Sequence, residues 1–230
     1  MSKFTTKFST PLIRLLLIDP LLPEKVRNST TTELIQWINE IGLEDSAEIM
    51  AFASSQQIEA IFDIDLWAPQ IKGGDEKFNP SRFGTWLEIL TEININRAVD
   101  KIIEMDEEFI SMAFSSLVWV AETSWLEGSF SSNSQIEKII DSKLTFEIDN
   151  YLLFAKTEQN WDAFISIIIE MDSHHHSFLY SILERCANFM IQEARTGDEL
   201  FDILNDEDQL IDDVTFEREK RRETQGFVTP

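Results

Sequence analysis

The residues of this chain that could bind a transition metal most directly are three consecutive histidines. His174, His175 and His176 are the only histidines among the 230 residues. An imidazole nitrogen is a good ligand for zinc and similar ions. Neighbouring residues of a helix point about 100° apart, however, so three adjacent rings do not readily converge on one ion. We predict an exposed helix start here, with a weak metal site as the alternative.

Three pairs of carboxylates, each separated by one residue, could carry out a different chemistry. Such groups serve glycosidases and divalent-metal sites when a cleft brings them together. Each pair, however, lies where an apolar helical pattern stops. We therefore predict that Asp106 and Asp172 are structural N-caps of the helices that follow them. The pairs are Asp63 with Asp65, Glu104 with Asp106, and Glu170 with Asp172.

The segment 197–213 is rich in acidic residues and contains no basic one. It lacks the central glycine and the ligand spacing of a calcium-binding loop. The simplest interpretation is a solvated acidic face, and the alternative is a docking helix whose apolar anchors fit a basic groove. The partner-binding candidates are Leu200, Phe201, Leu204, Asp206, Glu207, Asp208, Asp212 and Asp213.

The remaining signals for catalysis are weak. Cys186 is the only cysteine, so the chain can form no internal disulfide and no cysteine-based zinc site. It lies on an apolar helical face without an activating histidine, and we predict that it is buried packing. The sequence has no glycine-rich phosphate loop and no Gly-x-Ser-x-Gly motif. We predict no catalytic residue and no cofactor.

The net charge limits the possible partners. The chain carries 42 acidic and 19 basic residues, which gives a formal charge of −23. Such a field repels phosphate backbones and anionic lipid, so we expect no direct nucleic-acid binding and instead a protein partner with a basic surface. No apolar run approaches the roughly 20 residues of a membrane helix. We predict no membrane insertion and a cytoplasmic location, while the oligomeric state stays open.

Apolar residues at helical spacing dominate the chain, and we predict an all-α fold. Residues 34–41 form one such pattern, which Gly42 ends, and Thr30 or its neighbours could cap its start. Residues 107–122 are apolar nearly all round, which predicts one central buried helix. Because no segment alternates strictly between apolar and polar residues, we predict no strand.

The pentapeptide IIEMD occurs at 102–106 and again at 168–172. When 95–122 is laid on 161–188 without gaps, the match extends on both sides of the pentapeptide, mostly at apolar and small residues. This favours short helical hairpins stacked in a superhelical array of the armadillo or HEAT type. The predicted organisation is an N-terminal extension 1–28, a repeat half 29–122, a polar linker 123–135, and a second half 136–230 with acidic C-terminal helices.

The stretch 41–67 resembles an uncharacterised bacterial family, an all-helical domain of unknown function. In that family an I-G-L-x-D turn leads into a helix, and a later helix ends in D-x-D-x-W. Here these motifs are Ile41–Asp45 and Asp63–Trp67, followed by an arginine-rich REKRRETQGF near the C-terminus. The resemblance implies no activity. The helical rhythm is also similar to the cytoplasmic superhelix of magnesium transporters and to flagellar motor-switch middle domains, in architecture alone.

These observations predict a non-catalytic helical-repeat adaptor or scaffold that binds a protein partner through an acidic surface. Two alternatives stay open. One is a carboxylate-based enzyme or divalent-cation-sensing domain, and the other is an acidic mimic of nucleic acid.

Overall fold

The computed structural model describes residues 19–69, 76–124, 143–194 and 200–224, excepting the side chains of 189–194, 200–210 and 212. Helices dominate these ranges, as the apolar spacing predicts. The helices are α1 Leu22–Asn28, α2 Thr31–Ile41, α3 Ala47–Phe52, α4 Ser55–Asp65, α5 Pro80–Ile93, α6 Ile95–Ile103, α7 Glu107–Leu117, α8 Trp161–Ala194 and α9 Leu200–Thr224.

Local capping fixes several helix starts. Thr30 and Glu33 form a reciprocal capping box at the start of α2, and Ser54 and Gln57 form another at the start of α4. Gly42 ends α2 with a φ of 99°, a conformation that favours glycine. These boundaries therefore follow from residues within a few positions of each helix end.

The all-α prediction is wrong in one respect, because the described residues also contain two small antiparallel sheets. One is the hairpin β1–β2, and the other has the strand order β3-β5-β4. The predicted central helix ends at Leu117, and the next five residues form β3. Val118, Val120 and Ala121 are buried and Trp119 is partly buried, so this apolar run lacks the alternation that distinguishes a strand from a buried helix. The strands are β1 Trp67–Pro69, β2 Glu76–Phe78, β3 Val118–Glu122, β4 Thr145–Ile148 and β5 Tyr151–Ala155.

The two copies of IIEMD adopt different structures. In the first copy the helix is interrupted between α6 and α7. There the carboxylate of Asp106 accepts hydrogen bonds from the backbone N–H groups of Glu108 and Phe109, both at 3.0 Å. In the second copy α8 continues through Asp172 and kinks three residues later, at His175. The prediction that Asp172 caps a helix is therefore wrong. Its carboxylate is instead hydrogen-bonded to Nδ1 of His176, one helical turn further on.

A single apolar cluster joins the elements before and after the predicted linker. α8 lies against α5, α6, α7 and β3. Aromatic rings fill the centre, and the rings of Phe114 and Phe164 meet edge to face at 5.1 Å. Beyond Ser124, the predicted linker 123–135 lies outside the described residues. The superhelical stacking of hairpins stays a prediction.

None of the helices that the structure describes is long and apolar enough to cross a membrane.

Candidate functional site

The two carboxylates near the C-terminal end of α4, Asp63 and Asp65, point in different directions. Asp65 receives a two-pronged hydrogen bond from Arg82 of α5, at 2.7 and 2.9 Å, and a third from the indole N–H of Trp86 at 2.7 Å. Asp63 is buried and receives a two-pronged bond from Arg221 of α9, at 2.8 Å to each oxygen. Each carboxylate is therefore matched to a guanidinium, and the pair does not converge on one substrate.

A second arginine of α9 is buried next to this ion pair. Arg218 is only 2% exposed. Its guanidinium donates to the backbone carbonyl of Asp63 at 2.6 Å and to the carboxylate of Glu76 at 2.5 Å, and it lies 4.8 Å from the ring centre of Trp67. The hydrogen bonds and the ring face together compensate for the water that the cation loses. We call Asp63, Trp67, Glu76, Arg218 and Arg221 the arginine clasp.

A third carboxylate borders the arginine clasp at a longer distance. Glu59 lies 3.6 Å from Arg221. Burial raises the pKa of Glu59 above its ordinary value, and the attraction of Arg221 only partly opposes this effect. The hydrogen bond to Asp63 in turn raises the pKa of Arg221. The folded state therefore disfavours the ionised form of Glu59.

Replacing Glu59 with glutamine is expected to stabilise the protein at pH 7 by about 0.5 kcal/mol, because the neutral side chain avoids the desolvation cost. Because the pKa of Glu59 is higher in the folded state than in the unfolded state, ionisation of this carboxyl lowers the free energy of unfolding as pH rises above the unfolded pKa. The gain should therefore shrink as pH falls towards about 4.5. Urea denaturation at several pH values measures it, with exposed Glu88→Gln as the matched control. A variant less stable than wild type at pH 7 would show that the attraction of Arg221 dominates.

A cavity of about 410 Å³ adjoins the arginine clasp, lined by Trp67 and Phe78 on one side and by Ile211 of α9 on another. The indole N–H of Trp67 is buried and has no acceptor within the described part of the chain. An unpaired buried donor is costly. The rest of the cavity lining is mixed, and its polar residues are Glu76, Lys77, Ser115, Ser116 and Thr215.

The three histidines do not share a ligand. Each ring lies near a different carboxylate, and two of the three pairs are one helical turn apart on α8. The pairs are His174 with Glu170 at 2.9 Å, His175 with Asp100 at 3.8 Å, and His176 with Asp172 at 2.8 Å.

One group of side chains in the described ranges could hold a metal ion. Ligand atoms of Asp149, Asp172 and His176 all lie within 4.8 Å of one another. The hydroxyl of Tyr180 donates to Asp149, and its ring lies 4.2 Å from that of His176. Burial, followed by this hydrogen bond, raises the pKa of Tyr180 to about 12, so it remains a donor. Only one of the three predicted histidines joins this group.

The predicted docking residues lie on α9, but most of their side chains lie outside the described residues. Asp213 is exposed. The inward face of α9 carries Val214 and the two clasp arginines, whereas Phe216 on the outward side is 68% exposed. α9 therefore has one anchored face and one free face.

Cys186 is buried, as predicted, and its Sγ lies 3.5 Å from the carbonyl of Ser111. Burial raises the pKa of this thiol to about 12. The group stays protonated near neutral pH, so it is a poor nucleophile.

The sequence shows the acidic motif and the arginine-rich segment of the arginine clasp, but it does not show that they are in contact. The D-x-D-x-W motif and the arginine-rich segment lie far apart in the sequence, and 158 positions separate Asp63 from Arg221. The opposite charges of these two segments were the available signal. No spacing rule pairs segments so far apart, because their contact depends on how the intervening helices pack.

Comparison with known proteins gives one match. The sequence model of a family of unknown function (DUF6178) matches residues 11–193. No curated protein and no solved structure matches this chain. The matched region contains the clasp carboxylates and ends before α9, which supplies the arginines. The match covers most of the chain and agrees with the predicted resemblance to an uncharacterised family. The chain therefore belongs to this family of unknown function, DUF6178.

Proposed function

We propose that this protein is a non-catalytic adaptor that presents the outer face of α9 to a protein partner with a basic surface. The observation that carries this proposal is Phe216, which is 68% exposed on a helix whose other face is held by buried ion pairs. A large exposed ring on an anchored helix is suited to be a binding hot spot, because little freedom is lost on contact.

The charge around Phe216 favours a basic partner. Asp213 and Glu217 are exposed one turn before it and directly after it on α9. The chain as a whole carries a charge of −23. Complementary charge steers the approach of a partner and selects against acidic ones. The other partner-binding candidates precede this turn on α9, and we include them in the proposed partner-binding segment: Leu200, Phe201, Leu204, Asp206, Glu207, Asp208 and Asp212.

The chemistry of the described residues supports a binding role over catalysis. The carboxylates of Asp63 and Asp65 are each occupied by an arginine. Asp106 lies at the start of α7, and Asp172 lies beside His176 on a different element. The acidic pairs thus serve separate local contacts, and the helices around them form the scaffold of the proposed adaptor.

A photo-crosslinking amino acid at position 216 tests the proposal. It should capture a partner from native lysate, and the yield should fall when Asp206, Glu207, Asp208, Asp212 and Asp213 are changed to amides or when salt is raised. The same probe at Ile169, an apolar α8 residue that is 48% exposed, is the control and should capture little. Equal capture at both positions, or capture that ignores charge and salt, would contradict the proposal.

A second candidate function, divalent-cation binding, is favoured by the group Asp149, Asp172 and His176. A bound ion should raise the melting temperature by mass action. We expect a rise with manganese or zinc that is lost in His176→Gln and kept in His174→Gln. The absence of any shift with manganese, zinc, magnesium and calcium at millimolar concentrations would remove this candidate.

A further inference from the structure

A concavity of about 680 Å³ is lined by residues of α1, α3 and α6 and by the start of α4. It lies away from the arginine clasp and shares no lining residue with it. Three cationic side chains reach it, namely Arg27 from α1 and Arg97 and Lys101 from α6. The chain holds more than two acidic residues for every basic one, so a cluster of three cations is unexpected.

The two arginines of this concavity have no ion-pair partner among the residues that the structure describes. Neither Arg27 nor Arg97 forms an ion pair with any carboxylate in the described residues, whereas Arg82, Arg185, Arg218 and Arg221 all do. An exposed guanidinium in an acidic protein normally has carboxylates within reach. Two guanidinium groups at one concavity that pair with no described carboxylate can each bind an external anion through two N–H groups.

Lys101 is the third cation and is half-buried at the same place. Its ammonium group donates to the backbone carbonyl of Ala53. Burial lowers the pKa of Lys101. The carboxylates of Glu104 and Asp100 oppose this effect, and the positive charges of Arg97 and Arg27 add to it. The three cations line one concavity, so an anion bound between them would relieve the repulsion of their like charges.

The two carboxylates at the rim, Glu104 and Asp100, attract Lys101 but form no ion pair with it. Glu104 accepts a hydrogen bond of 2.5 Å from the hydroxyl of Ser55, and Asp100 lies 3.8 Å from His175. Neither carboxylate forms an ion pair with the three cations. The first turn of α4, an eleven-residue helix, also borders the concavity and adds the partial positive charge of its N-terminus.

We propose that this concavity binds a small oxyanionic molecule, held by Arg27, Arg97 and Lys101. Two guanidinium groups and an ammonium group can together donate hydrogen bonds to the several oxygens of a phosphate ester or a dicarboxylate. Phe52, Ala51 and Pro23 supply an apolar wall for an uncharged part of the ligand. The strongly negative field of the whole chain disfavours a polyanion such as nucleic acid, so the ligand is small.

Thermal melts with inorganic phosphate, sulfate and succinate test this site, each against sodium chloride at equal ionic strength. At about tenfold excess over its dissociation constant, the bound anion should raise the melting temperature by about 3–5 °C. The phosphate and succinate arms distinguish a phosphate ester from a dicarboxylate. Arg27→Gln and Arg97→Gln should each abolish the rise, and Lys220→Gln, which removes one exposed cation of α9, should keep it.

Calorimetric titration of phosphate into wild type and Arg97→Gln provides a second readout that does not depend on unfolding. Arg27 and Arg97 are exposed, so their replacement leaves the core intact. The proposal is overturned if none of the three anions exceeds the chloride control at about 10 mM. An equal rise in Arg97→Gln and wild type would overturn it as well.

Discussion

Changing Asp63 to alanine is expected to lower the free energy of unfolding by about 3 kcal/mol, because it removes the carboxylate that Arg221 binds at both oxygens. Asp63 is only 3% exposed, so no water replaces the lost contact on its side. The value lies at the lower end for a broken buried pair, since Arg221 keeps 25% of its side chain exposed. Urea denaturation with an unchanged slope measures the loss.

Asp213→Ala is the matched control, since this aspartate is exposed on α9, and it should stay within about 0.5 kcal/mol of wild type. The double variant Asp63→Ala with Arg221→Ala should lose less than the sum of the two single losses, because the buried charge is removed together with its partner. Strict additivity would show that the two side chains do not stabilise each other.

Arg218→Lys is expected to loosen α9 while preserving the charge. A lysine has one compact ammonium group, which cannot reach the carbonyl of Asp63, the carboxylate of Glu76 and the face of Trp67 together. Losing about 2 kcal/mol of charged hydrogen bonding corresponds to roughly thirtyfold more frequent opening of the helix. Hydrogen exchange of the amides of residues 211–224 measures this opening directly.

The reverse substitution Lys220→Arg is the control, because Lys220 is exposed and forms only a surface pair with Glu217. Exchange in that variant should match wild type. If Arg218→Lys also matched wild type, the apolar contact of Val214 and the Arg221 pair would be sufficient to hold α9, and the buried arginine would have no role in anchoring it.

The adaptor proposal depends on this anchoring. If α9 is released in Arg218→Lys, crosslinking from position 216 should weaken as well, because an unanchored helix must be ordered before it binds. The oxyanion site should be unaffected, since it lies among α1, α3, α4 and α6. The two proposals can therefore fail independently.

Features that depend on neighbouring residues could be predicted from the sequence. The start of α2 at Thr30 and its end at Gly42 follow from capping chemistry within a single turn. The burial of Cys186 follows from the apolar face of its helix. The mostly helical character and the membership in a family of unknown function could also be predicted from the sequence.

Neither the strand β3 nor the position of Asp172 inside α8 could be predicted from the sequence. Apolar residues occupy both faces of β3, which removes the alternation that marks a strand, and its pairing partner β5 lies about thirty residues further along the chain. The repeated IIEMD breaks one helix and continues through another. Identical residues gave two outcomes because α8 packs against α5, α6, α7 and β3 along its length, and that packing overrides the local preference.

The sequence by itself determined where charge and apolar surface are available: an acidic chain, a D-x-D-x-W motif at a helix end, and an arginine-rich segment near the C-terminus. Only the tertiary structure decided which of these meet. It joined Asp63 to Arg221 across 158 positions, brought Arg27 and Arg97 together at one concavity, and assigned three adjacent histidines to three different acids. The reason is physical. Capping and periodicity act within a helical turn, whereas the pairing of buried charges depends on how distant helices pack.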